Sequence, residues 1–192
     1  LTGKGARIEG FAVSAPAKHA AANTMARRTV LLIGGLNGND ESVERVSAAL
    51  KSFDRTKPAR RPFDLIAIPL ANPDGARLQF PATGVAYREN PEANALWRWI
   101  GLHAPDLVLI AGKDDFSLAQ ALSTNAVAET GRIPARLVAE TGNPLSLDAK
   151  SLVPSEAHIE MDRRRARTPR ELADELARYY GHDFDQPLYI QA

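Results

Sequence analysis

The stretch Val30-Leu31-Leu32-Ile33-Gly34-Gly35-Leu36-Asn37-Gly38-Asn39-Asp40-Glu41 decides the fold. Its four consecutive apolar residues lack the polar alternation of a half-exposed strand. They read as a strand buried on both faces, as in a parallel sheet covered by helices on either side. The glycines then turn the chain, and Asn39 or Asp40 caps a helix whose apolar positions Val43, Val46, Leu50 and Phe53 follow three-to-four spacing. Asn37-Gly38 is also a hairpin pair, but helical spacing follows it, which favours a strand-to-helix turn.

Outward from this unit the pattern repeats. Leu65-Ile66-Ala67-Ile68 and Leu107-Val108-Leu109-Ile110 are two more unbroken apolar runs. Between them, Asn90-Pro91 supplies a cap and first position for a helix through Leu96, Trp97 and Ile100 that closes before Pro105. Strand, helix, strand, helix, strand predicts an α/β fold of three layers, a mostly parallel or mixed sheet flanked by helices. Residues 8–14 are expected to add a strand, and residues 71–90 form a connection long enough to be functional. Trp97 and Trp99 fall on different sides of their helix, so at least one belongs to the core and the other is available as a contact surface. Late in the chain, Thr168-Pro169-Arg170-Glu171 spells a capping box. Leu172 and Leu176, with Tyr179 or Tyr180, line the helix it opens, and Gly181 ends it. Pro187-Leu188-Tyr189-Ile190 reads as a last strand that stops abruptly at Ala192, so a longer chain is expected, with a further C-terminal portion able to supply a base or a partner surface.

The 192 residues, 44% hydrophobic and 24% charged, suffice for one substantial core, which predicts a single domain over 1–192. Twenty-four basic against 23 acidic residues leave a net charge of +1, so no overall field collects nucleic acid or an anionic membrane. No apolar run approaches the roughly 20 residues that cross a bilayer, and a soluble chain is expected. With no cysteine, disulfides, thiolate metal sites and a cysteine nucleophile are excluded together. The chain opens on Leu1 rather than methionine, so removal of an earlier segment is expected; export stays open and the compartment is not fixed.

In open α/β sheets ligands bind beyond the carboxyl ends of the strands. Here those ends are polar: Asn37, Asp40 and Glu41 follow the first run, Asn72, Asp74 and Arg77 the second, and Lys113, Asp114 and Asp115 the third. All of these but Asp115 are the candidate ligand-binding set; Asp115 enters only with Asn37, Asp40, Glu41, Asp74 and Asp114 as an oxygen-rich cluster. Two chemistries remain open for them. Carboxylates with amide oxygens suit magnesium, calcium or manganese, and the same residue types serve as helix caps and turn formers. The four histidines show no paired ligand spacing: His103 and His182 sit at helix ends, His158 among charges, and His19 in an alanine-rich stretch. Arg163, Arg164, Arg165, Arg167 and Arg170 read as a solvated strip, with no aromatic platform for RNA. A Gly-x-Ser-x-Gly elbow and a Gly-Lys-Ser/Thr phosphate loop are both missing.

The glycine-rich turn after a buried strand, then a strand ending in Asn72-Pro73-Asp74-Gly75, then Pro91-Glu92-Ala93 opening a helix before Pro105-Asp106-Leu107, resembles the zinc carboxypeptidase and succinylglutamate desuccinylase families over roughly residues 28 to 116. The resemblance implies a zinc held by a histidine and a glutamate in the first turn and a second histidine after a later strand. At those places this chain has Asn37, Asp40 and, within a residue, Gly112. The family's substrate-holding arginine falls in the connection that carries Arg77 and Arg88, but its Asn-Arg step is not reproduced and its late catalytic glutamate has no counterpart that aligns. An amide is a poor zinc ligand and glycine offers none. The expectation is therefore a carboxypeptidase-like domain that has lost zinc and peptidase activity. It would hold a peptide or small molecule in the inherited cleft or serve a structural role, with no cofactor. The alternative is a hydrolase with an oxygen-rich or acid-base site on Asp40, Glu41 and Asp114.

Overall fold

The computed structural model describes residues 2–14, 28–85 and 89–166. The helix expected at 168–181, the strand at 187–190, and His19, Arg88, Arg167, Arg170 and His182 lie outside those residues. The fold is α/β. Strands β1 (Phe11–Val13), β2 (Thr29–Ile33), β3 (Asp64–Ile68), β4 (Leu107–Ile110) and β5 (Ala135–Leu137) form one sheet in the order β1-β3-β2-β4-β5. All neighbours run parallel except β1 on β3, where Phe11 stands opposite Ala67. The sheet is thus mixed, with the sequence's three apolar runs at its centre.

Helices lie on both faces because the central strands are apolar on both. Leu31 and Ile33 of β2, with Val108 and Ile110 of β4, join one core with Leu96, Trp97 and Ile100 of helix α2 (Pro91–His103) and Leu118 and Leu122 of helix α3 (Leu118–Thr124). The alternate residues Val30, Leu32, Leu107 and Leu109 join a second core with Val46, Ala49 and Phe53 of helix α1 (Glu41–Arg55). There Phe53 stacks on Phe63 with ring centroids 5.3 Å apart. The three-layer arrangement is the direct outcome of a period-two strand whose every residue is apolar.

The helix ends follow their local chemistry. Asp40 is the residue that caps α1, its side chain accepting from Ser42 N at 2.8 Å. Asn90 caps α2 by accepting from Ala93 N at 3.0 Å, and Pro91 takes the first position. Trp97 is the core tryptophan; Trp99 is only partly buried and stacks on His103, whose Nδ1 lies 2.8 Å from Trp99 O. Among the described residues no helix is long and apolar enough to cross a membrane.

The sequence reading leaves out helix α4 (Glu156–Ala166), which anchors to the amino-terminal edge of the sheet. There the buried Asp106 carboxylate accepts from Thr29 N at 2.8 Å and from Ser155 N at 3.1 Å, tying the starts of β2 and β4 to the approach of α4. His158 lies between two carboxylates, Nδ1 being 2.8 Å from Asp106 and Nε2 3.3 Å from Asp162. The Nδ1 contact is an ion-pair distance without hydrogen-bond alignment. Arg163, Arg164 and Arg165 are exposed on the last turn of α4, and Arg164 pairs with Glu160 at 3.0 Å.

Leu32 has no exposed surface and sits on the central strand. Leu32→Ala is expected to cost about 2 to 5 kcal/mol, the transfer term plus the cavity left in a close-packed layer. Urea denaturation checks this, and a loss under about 1 kcal/mol would place β2 outside the core.

Candidate functional site

The crevice follows from the strand order. From β2 the chain crosses to β3 on one side through α1, and from β3 it passes back over β2 to β4 through α2. Right-handed connections running in opposite directions put their helices on opposite faces, as the two cores show. The loops leaving β2 and β4, which are neighbours in the sheet, therefore diverge, and the switch point between their carboxyl ends is where sheets of this kind place a binding crevice.

Close approach sets the walls of this crevice. A β-carbon on Gly34 would stand 2.8 Å from Pro69 O, Ser42 O and Val46 Cγ2, so only glycine fits between β3 and α1. Gly112, at the exit of β4, has φ +83°, and a β-carbon there would stand 3.0 Å from Ser42 Cβ and 3.8 Å from Asp40 Oδ2. The two loops are thus packed against each other at the floor.

The polar residues around that floor are bound to main chain and to one another. Asp40 Oδ1 accepts from Ser42 N and from Ser42 Oγ, and Ser42 Oγ in turn accepts from Gly35 N at 2.7 Å. Asp114 caps α3 twice over, Oδ1 taking Leu118 N and Oδ2 taking Ala119 N, each at 2.8 Å. Across the crevice, Asn37 Nδ2 donates to Asp115 Oδ2 at 2.9 Å. This bond orients the amide, because a carboxylate accepts only. Asn37 Oδ1 is then turned inward, buried and without a donor. Glu41 and Lys113 are exposed at the rim, and Glu41 lies in the first turn of α1, where the helix dipole favours a negative charge.

The β3 side carries the rest of the candidate set. Asn72 is fully buried: its Nδ2 donates to Leu36 O at 2.8 Å and Ala76 O at 2.7 Å, and its Oδ1 accepts from Ala76 N at 3.0 Å. It fastens the 72–76 turn to the β2 loop and presents no group to the crevice. Asp74 is engaged with the start of the chain, accepting from Lys4 N at 3.0 Å. The Thr2 hydroxyl lowers the Asp74 carboxyl below its ordinary value of 3.8, with the Lys4 N–H and charge adding to this and desolvation opposing it. Next to it, Glu92, 6% exposed in the first turn of α2, accepts from Gly3 N at 2.7 Å. Arg77 is exposed, and its carbonyl accepts from Asn90 Nδ2.

The structure therefore brings Asn37, Asp40, Gly112, Asp114 and Asp115 to one crevice, leaves Glu41 and Lys113 at its rim, and sets Asn72, Asp74 and Arg77 on its β3 flank. Sequence reasoning missed Ser42 and Glu92. Ser42 is two residues past the cap and could have been found as a second capping hydroxyl. Glu92, beside a proline in a helix's first turn, gave no sign of its burial under residues 2–6. Among the described residues no group of three or more histidines, aspartates or glutamates is arranged to hold a metal ion. Comparison with family models, with curated proteins and with solved structures gives no match.

An acid whose folded pKa is depressed stabilises the fold above its unfolded pKa and loses that contribution as pH falls through the folded value. The Asp74 contribution should accordingly fade below pH 3.8. Asp74→Asn is expected to flatten the decline of the melting temperature in that range and leave it unchanged in slope near neutrality. Equal acid slopes for the two proteins would mean that residues 2–6 are not held by this carboxylate.

Proposed function

We propose that this chain is a carboxypeptidase-like domain without a working zinc centre, which binds a peptide or other small ligand in the crevice between the β2 and β4 loops. The observation that carries the reading is the condition of the residues standing where the family's zinc ligands would be. Asp40 is engaged as a helix cap, Asn37 offers an amide, and Gly112 is pressed against Ser42 with a left-handed backbone that disfavours any side chain. A catalytic zinc needs three protein ligands, mostly nitrogen or sulfur, and an open position for water. The donors here do not fit that ion.

The acceptors that a ligand can reach here are the exposed Asp40 and Asp115 carboxylates, Asn37 Oδ1 being buried behind them. Acceptors recognise N–H donors, so an amino group of the ligand is the chemistry this end favours. The rival, an acid-base hydrolase on Asp40, Glu41 and Asp114, is supported less well, since both oxygens of Asp114 already take main-chain N–H groups and Glu41 points to solvent.

Elemental analysis of protein purified without added zinc should find far less than one zinc per chain, and peptides should keep their C-terminal residues on incubation with it. One zinc per chain together with release of C-terminal residues overturns the reading. Asp40→Ala separates the rival. As a lost cap it should cost about 1 kcal/mol of stability, whereas a hydrolase built on Asp40 would lose its turnover.

A further inference from the structure

Asn37-Gly38 is the single Asn-Gly pair in the sequence, and it stands in the turn that leaves β2. Asparagine before glycine is chemically labile, because no β-carbon shields the main-chain nitrogen that follows the side chain. The reaction is internal. Gly38 N gives its proton to base and attacks Asn37 Cγ. A C–N bond forms and closes a succinimide ring, the Cγ–Nδ2 bond breaks, and Nδ2 leaves as ammonia with a proton drawn from water. Water then adds to either ring carbonyl and leaves aspartate or isoaspartate at 37. The balance is one water consumed and one ammonia released, with no oxidant or reductant.

The folded chain restrains every atom of that step. Gly38 N–H donates to Gly35 O, and at 3.3 Å this bond is a long one. Gly38 is buried, and a β-carbon on it would stand 3.8 Å from Gly75 Cα, so the 72–76 turn lies over the attacking nitrogen. Asn37 Oδ1, which takes the negative charge as the ring closes, is buried without a donor to stabilise it. Nδ2, the leaving group, is tied to Asp115 Oδ2 at 2.9 Å. Asp115 is exposed, so this last restraint is the one that a local opening of the β4 exit removes. We propose that Asn37 is a self-modification site, deamidated through Gly38 N, and that the bond to Asp115 is its latch. The product places a carboxylate where Asp115 had a donor. The link between the β2 and β4 exits then becomes a like-charge contact. This holds whether or not the crevice takes the ligand proposed above.

The full 192-residue chain, aged in mildly alkaline buffer beside a urea-denatured sample, tests the proposal. Trypsin releases residues 29–45 as one peptide, in which Asn39 is the internal control. Fragmentation mass spectrometry should place the modification at 37, as aspartate and isoaspartate, with the urea sample fastest. Asp115→Ala should deamidate about tenfold faster than the unaltered chain, the factor that a hydrogen bond to a charged group holds against opening. Asn37→Gln, which must close a larger ring, should stay unmodified. Phe63 is fully buried at the opposite end of the sheet, and Phe63→Leu should leave the rate at 37 unchanged. Equal rates for Asp115→Ala and the unaltered chain would overturn the latch, as would equal acceleration by Phe63→Leu, which would trace the reaction to global unfolding. Modification at Asn39 instead, or none in Asp115→Ala while the urea sample converts, would overturn the site. Asn37→Asp should speed amide hydrogen exchange in residues 112–118 about tenfold. Unchanged exchange there would overturn the like-charge contact.

Discussion

The burial of β2 on both of its faces governs the rest of the molecule. Val30 and Leu32 point into one core and Leu31 and Ile33 into the other, with no residue of the four exposed. Each such side chain contributes about 1.5 to 3 kcal/mol by leaving water, but only if both sides of the sheet are roofed. A strand of this kind needs helices on both faces, and chain connections that supply them must run in opposite directions from the centre. The crevice between the β2 and β4 exits is the geometric remainder of that requirement.

The same requirement explains why the strand ends are so polar. Where a parallel strand stops, its main-chain groups and those of the next helix's first turn have lost their ladder or have not yet gained an intrahelical partner. Asn72 closes the gap between the 72–76 turn and Leu36 O. Asp40 and Ser42 close it at the start of α1, Asp114 at the start of α3, and Asp106 at the amino-terminal edge. Much of the cluster that looks like chemistry in the sequence is therefore structural. The exceptions are few: the inward Asn37 oxygen and the Asp115 carboxylate that orients it. A functional reading has to start from these, because their hydrogen bonding does not complete the scaffold.

Legibility in the sequence tracks how much of an element's stability is local. Both three-to-four periodic helices could be read because Asp40 and Asn90 announce their starts and Val46, Phe53, Leu96 and Ile100 repeat on one face. The strand in 8–14 could be read as present, but its antiparallel pairing with β3 could not. Helix α4 could not be read. Its sequence from Glu156 to Arg165 runs from acidic to basic without an apolar stripe and buries only Ala157 fully, and its approach is tied to Asp106, some 50 residues earlier. Helix α3 was hidden for a similar reason: its carboxylate cap stands at Asp114, ahead of a Ser117 in left-handed conformation. In the crevice the residue types were legible, but the direction each side chain takes was not. Asp74 binds the chain's first residues rather than the floor, and nothing within 60 residues of it in sequence says so.

Gly112 joins the fold to the proposed loss of zinc. It stands where the resemblance puts a histidine; its φ is +83°, and a β-carbon added there would lie 3.0 Å from Ser42 Cβ. The β4 exit lies against the α1 amino terminus, so that Ser42, with Asp40, occupies the space a side chain at 112 would enter. Restoring a histidine at 112 would meet both a strained backbone and an occupied volume. Asn37 Oδ1 is buried beneath that contact, while its amide nitrogen is held by the exposed Asp115 carboxylate.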